Sequence, residues 1–203
     1  GCERGGAMSL LFIDTETNGL PDFNKRASDP SQPHVVQFAA IVTDDEGKIL
    51  DEHNVLVKPE GWEISAEMSA IHGITQEMAL ADGLSESMVA SLALSLIKES
   101  SLLVAHNLQF DKFLVRILLR RCGLLTDEMD QWWKALPVFC TMRATTDICK
   151  IPSERGGWKW PKLIEAHQHA FGEGFDGQHD ALADVKACSR IYRWLMDLKG
   201  ATR

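Results

Sequence analysis

The chain has 203 residues, 45% of them hydrophobic and 25% charged, and a formal net charge of −8. That length suits one well-buried domain and is short for two. The acidic balance argues against a broad, sequence-independent grip on duplex nucleic acid, which needs a basic face, and no apolar run approaches the ~20 residues of a membrane-spanning helix.

An enzyme that holds only a few nucleotides at a strand end stays compatible with such a charge, because bound cations and local donors supply positive potential where it is needed. The five cysteines (Cys2, Cys122, Cys140, Cys149, Cys188) are odd in number and show no C-x-x-C spacing. That argues against a disulfide framework and a zinc site, and a reducing, cytoplasmic setting is the simplest reading. No secretory signal is visible. Residues 1–7, ahead of Met8, read as a tag remnant or disordered leader, so the expected domain covers residues 8–200.

In chain order, Leu10 to Ile13 is a continuous apolar run ending at Asp14, the signature of a central strand buried on both faces. Val35–Thr43 and Ile49–Val57 flank a turn containing Gly47 and read as a hairpin. A helical stretch follows near Ser65–Ile71, and Ser85–Glu99 carries a helical apolar face. Leu102–Ala105 reads as a second buried strand, His106-Asn107 as a loop, and Gln109–Arg121 as an amphipathic helix. Val138–Cys140 is a short strand, and Lys150–Trp160, with Pro, Ser and two glycines, reads as the most mobile loop. Lys162–Phe171 and Asp180–Leu198 read as the last two helices. A hairpin followed by strand–helix alternation makes an α/β domain with a mixed sheet.

Three separated segments carry acids beside apolar runs. Asp14 and Glu16 in "LLFIDTETNGL" are two apart in an extended segment, so both point to one face. Taken alone, the pair reads equally as a metal cradle or as a solvated strand end. Asp111 in "AHNLQFDKF" borders the apolar stripe of its helix through Leu114 and Leu118. Taken alone, it reads as a first-turn acid favoured by the helix dipole. In "GQHDALADVKA", Asp180 can cap the following helix, Asp184 lies one turn inside it, and His179 sits just before it on a glycine-containing loop. The nearby acid favours a general-base role for His179.

"DTETNGL", "HNLQFD" and "HDALADV" together, in this order, resemble the three motifs of the DEDDh 3′–5′ exonucleases, a group that includes the proofreading subunit of bacterial replicative polymerase and ribonuclease T. The resemblance extends over nearly the whole chain, from about Ser9 to Leu198, and includes "IHGIT" at Ile71–Thr75. It implies a ribonuclease H-like fold, with a mixed five-stranded sheet flanked by α-helices. It also implies that Asp14, Glu16, Asp111 and Asp184 hold two Mg²⁺ or Mn²⁺ ions and that His179 is the general base. The sister subgroup has tyrosine four residues before the last aspartate; this chain has Asp180 there. Cys140 stands where many relatives carry the aspartate of an Asp-Thr pair, outside the four metal-binding positions.

Thr17, Leu20, His72, Asn107 and Phe110 match family positions that line the terminal nucleotides. Leu20 and Phe110 suit wedging or stacking on bases, with core packing an equal reading for Phe110. Trp158 and Trp160, interleaved with Lys159 and Lys162, suit a rim for single-stranded nucleic acid, against a reading in which Trp160 packs on the helix beginning at Lys162. Arg116, Arg120 and Arg121 read as a solvated helix face. The expected activity is hydrolysis from the 3′ end of single-stranded nucleic acid, DNA before RNA, releasing nucleoside 5′-monophosphates. RNA 3′-end trimming and a polymerase-associated proofreading or accessory role stand as alternatives.

Overall fold

The computed structural model describes residues 9–201; the expectation for residues 1–7 lies outside them. One five-stranded sheet in the order β3-β2-β1-β4-β5 organises the chain. β1 (Leu10–Thr17) is central, antiparallel to β2 (Val35–Thr43) and parallel to β4 (Leu102–Ala105). β3 (Ile49–Leu56) completes the hairpin with β2, and β5 (Val138–Cys140) runs parallel to β4 at the other edge. The apolar runs of β1 and β2 are buried almost throughout, whereas the edge strand β3 carries Asp51, Glu52, His53 and Asn54 and is largely exposed. A polar, charged edge discourages pairing with a further strand.

Helices α1 (Ala66–His72), α2 (Gln76–Asp82) and α3 (Glu86–Glu99) follow the hairpin; α4 (Leu108–Arg121) and α5 (Asp130–Ala135) separate β4 from β5; α6 (Thr141–Cys149), α7 (Leu163–Phe171) and α8 (Ala181–Ala201) close the order. Two cores cover the sheet. Leu11 and Ile13 of β1 pack with α3 and α4, and the alternate residues Leu10 and Phe12 pack with α8.

The "IHGIT" segment is a helix-to-helix joint. Gly73 ends α1 in the left-handed region at φ 76°, Ile74 is buried, and the Thr75 hydroxyl accepts the Met78 N–H to start α2. Ser65 and Ser85 cap α1 and α3 in the same way.

Several expectations change. Helices α2, α5 and α6 have no counterpart in the sequence reading. α6 was hidden by its threonines, which favour non-helical backbone in isolation; here Thr145 and Thr146 donate to the carbonyls of Thr141 and Met142 within the helix. Arg116, Arg120 and Arg121 are not a freely solvated face. Arg116 and Arg120 converge on Asp130, and Arg121 binds Glu86 and the Gln32 carbonyl. Lys159 pairs with Glu165, and Trp160 is 60% exposed with Arg143 over its ring rather than packed on α7. Among the described residues, no helix is long and apolar enough to cross a membrane.

Candidate active site

Strand alternation decides which layer each acid meets. Because Leu10 and Phe12 face α8, Asp14 and Glu16 fall on that side, and Thr15 falls on the α4 side with Leu11 and Ile13. Asp184, in the first turn of α8, comes over the same strand end. Ligand atoms of Glu16, His179 and Asp184 lie within 4.8 Å of one another.

Asp111 arrives from the opposite layer. It is only 3% exposed, and one carboxylate oxygen accepts both the backbone N–H of Thr15 at 3.0 Å and its hydroxyl at 2.8 Å. Thr15, unremarked in the sequence, is therefore the residue that ties the α4 acid to the strand bearing Asp14 and Glu16. The available signal was a hydroxyl side chain between two acids in D-x-E, pointing away from both. Thr15→Val keeps the backbone donor and removes the hydroxyl. We expect a loss of about 1–2 kcal/mol in stability by denaturant unfolding, together with a fall in turnover as Asp111 loses its anchor.

The acids are held in a common, poorly solvated space. Burial and then the charges of Asp184, Asp111 and Asp180 push the Glu16 carboxyl up to about 8. Burial raises Asp111 to about 7 despite its bonds from Thr15, and raises Asp184 to about 6 against the opposing N–H of His179. Asp14 is held well above the ordinary carboxylate range by burial, then by Asp111, Asp184 and Glu16. A mutually repelling, desolvated group of this kind requires protons or cations. One oxygen of Asp184, Oδ1, is buried with no hydrogen-bond partner among the described residues, while Oδ2 accepts the His179 N–H at 3.2 Å. Such an orphaned oxygen among carboxylates fits a hard divalent cation.

The loop carrying His179 is shaped by its backbone. Gly177 has φ 81°, and a Cβ there would come within 3.1 Å of the Ala183 side chain. His179 itself has φ 67° and is exposed. Asp180 caps α8, its carboxylate accepting the Leu182 N–H and its carbonyl the Asp184 N–H.

The other expected site residues differ in what they offer. Leu20 is 83% exposed on the loop after β1. Phe110 is half-buried against the α4 core, and Asn107 is exposed at the start of α4 with φ 67°. Thr17 is buried, and its hydroxyl bonds the Gly19 and His34 carbonyls, so it shapes the turn carrying Leu20. His72 is buried beside a cavity of about 300 Å³ that Asp180 also lines. Its Nδ1 accepts the Ile74 N–H, which leaves the proton on Nε2, and Nε2 has no partner among the described residues. Burial and the neighbouring His179 lower its pKa, keeping the ring neutral.

Comparison with known proteins gives the family and the fold of the chain. The chain is 32% identical over 177 residues to the uncharacterized exonuclease CP81 of Escherichia phage 186, covering 87% of this chain and 82% of that protein. It is 35% identical over 184 residues to the PolC-type DNA polymerase III of Thermotoga petrophila, spanning 91% of this chain and 12% of the polymerase. Among solved structures, E. coli exonuclease I in complex with a dA16 oligonucleotide matches with a TM-score of 0.70 at 23% identity, over 94% of this chain and 43% of that one. That likeness shows the shared ribonuclease H-like fold. The sequence profile of the exonuclease family matches residues 11–192, and the chain belongs to that family.

Proposed function

We propose that residues 8–200 form a single exonuclease domain that removes nucleotides from the 3′ end of single-stranded nucleic acid, DNA in preference to RNA, and releases nucleoside 5′-monophosphates. The observation that carries this reading is the meeting of Asp14, Glu16, Asp111 and Asp184 in one desolvated space with His179 at its open side. The four carboxylates would hold two Mg²⁺ or Mn²⁺ ions, with the unpartnered Asp184 Oδ1 as one donor. When bound, such cations neutralise the acids and the phosphate and acidify water.

The chain's own groups do the rest. His179 accepts the proton of the attacking water at its imidazole, and its backbone is held by Asp184 Oδ2. Thr15 fixes the Asp111 carboxylate. The neutral His72 donates from Nε2 to an oxygen of the terminal nucleotide. Asn107 lines the same end of the site, and Thr17 positions the turn from which Leu20 wedges against a base, with Phe110 on the opposite side. The oligonucleotide named with E. coli exonuclease I supports single-stranded DNA as substrate. Identity to a stretch of PolC-type polymerase supports a second reading, that the domain works beside a polymerase.

The test uses 5′-labelled single-stranded DNA and RNA of equal sequence, each with Mg²⁺, Mn²⁺ or EDTA. A ladder shortening stepwise from full length, on DNA first and absent in EDTA, is the expected result. Immediate release of the labelled mononucleotide would mean the opposite polarity, and early internal fragments would mean an endonuclease.

A further inference from the structure

Along the outer face of α4 the chain builds a furrow that the chemistry above does not use. Gln109, Lys112, Phe113 and Arg116 fall at i, i+3, i+4 and i+7, the face opposite the buried residues Leu114, Val115 and Leu118. Three cavities follow this face in sequence. The first, about 480 Å³, starts at Asn107 and Cys140 and includes Lys112 and Arg143. The second, about 290 Å³, shares Gln109 and Lys112 with it and adds Phe23 and Phe113. The third, about 460 Å³, shares both phenylalanines and continues past Lys25, Arg26 and Arg120. From Asn107 to Arg120 the helix advances roughly 20 Å, and its first turn is the one that holds Asp111.

The charge along this path is opposite to that of the whole protein. The furrow is lined by Lys25, Arg26, Lys112, Arg116, Arg120 and Arg143, against two acids, Asp127 and Asp130. Both acids are already engaged by Arg116 and Arg120. Among the described residues, Lys25, Arg26, Lys112 and Arg143 form no ion pair. Lys25 already faces Asp29, but in a chain of net charge −8 the three remaining cations Arg26, Lys112 and Arg143 in one furrow suit a ligand with evenly spaced anions. The aromatic component is placed to match: Phe23, 48% exposed, stacks on Phe113 with ring centroids 4.9 Å apart, midway along the path. Cations interleaved with exposed aromatic faces are what a flexible single strand requires, phosphates on the former and bases on the latter.

We propose that this furrow binds the single strand on the 5′ side of the nucleotides being removed, with Lys112 and Arg143 on its phosphates and Phe23 against a base. The proposal rests on the exonuclease reading above and adds a binding site outside the reaction centre. It makes strand length a determinant of affinity, because a substrate reduced to its terminal nucleotide never reaches the furrow.

The experiment compares wild type, Lys112→Gln, Arg143→Gln, the double variant and Phe23→Ala on two substrates. One is a long single-stranded DNA; the other is the p-nitrophenyl ester of thymidine 5′-monophosphate, which has no upstream strand. The double variant is expected to raise KM for the long strand roughly tenfold, and to flatten the dependence of log K on log salt by about 1.4, or about 0.7 for each lost phosphate contact. Turnover of the ester is expected to match wild type, which also shows that the variants are folded. Arg143 is exposed, so its single variant keeps the test intact should Lys112→Gln disturb packing against Trp133. An unchanged KM and salt slope would overturn the proposal and leave an acidic protein partner as the occupant. If wild type cleaves neither substrate, the exonuclease reading fails separately. Anisotropy of the labelled strand in EDTA then decides the furrow, a roughly tenfold rise in Kd for the double variant supporting it and an equal Kd overturning it.

Discussion

Asp14→Asn is expected to lower turnover at least ~10⁴-fold, equivalent to about 5 kcal/mol of transition-state stabilisation, and at the same time to stabilise the cation-free protein at mildly alkaline pH. Both effects come from one cause. Burial and the charges of Asp111, Asp184 and Glu16 hold the Asp14 carboxyl far above its ordinary range. A carboxyl whose pKa is higher folded than unfolded adds stability below the unfolded value, and that contribution is lost as pH rises through the folded value. The ordinary carboxyl values of 3.8 to 4.5 open the window, and Asp184 at about 6, Asp111 at about 7 and Glu16 at about 8 close it. In EDTA the wild-type melting temperature should therefore begin to fall as pH rises above about 4 and keep falling up to about pH 8, with roughly 5–10 °C lost for each ~2–3 kcal/mol. Asparagine keeps the shape of the side chain and removes one repelling charge, so the variant should fall less. Mn²⁺ or Mg²⁺ should restore the wild type, because ligands must shed protons to bind and the bound state is the folded state. The variant should gain little. Melting curves over this pH range, with and without cation, check the stability claim beside a turnover assay. Equal curves for the two proteins, or a variant that retains activity, would remove the shared-cation account of these acids.

Reading the sequence reached the parts of the fold that follow from local pattern. A doubly buried strand declares itself as an unbroken apolar run, and Leu10–Ile13 did so. The hairpin shows in two strand-like runs around the turn at Gly47, α3 and α4 show in apolar residues that repeat at the period of one helical face, and α7 and α8 show as helical stretches on either side of a turn-prone segment. Elements that depend on tertiary support were not. α5 is six residues built around two tryptophans, and α6 is a threonine-rich segment whose helix is completed by side chains bonding backward along it. The same division runs through the site. The acids and His179 could be named because their spacing and order resemble a family pattern. That Thr15 clamps Asp111 depends on β1 and α4 meeting 96 positions apart in sequence. That Lys112 and Arg143 stay uncompensated while Arg116 and Arg120 are neutralised depends on where α5 delivers Asp130. A list of charges cannot separate a paired arginine from a free one; only the fold assigns the partners.

His179 allows the proton-transfer role to be isolated from the architecture around it. Removing the imidazole is expected to cost about 10²–10⁴-fold in turnover, the range of one positioned general base, while cation binding is largely kept. The link to Asp184 is made by the His179 backbone N–H, which every substitution except proline retains. His179→Ala alone would mix two effects, because the residue sits at φ 67°, where a side chain other than Gly, Asn or Asp costs roughly 1–2 kcal/mol. His179→Asn tolerates that backbone and lacks the imidazole. Equal losses of turnover in the two variants, with Mn²⁺ affinity by calorimetry near wild type in the asparagine protein, would locate the defect in the missing base. If His179→Asn turns over like wild type while His179→Ala does not, the histidine matters for the shape of its loop, and another group must take the proton from water.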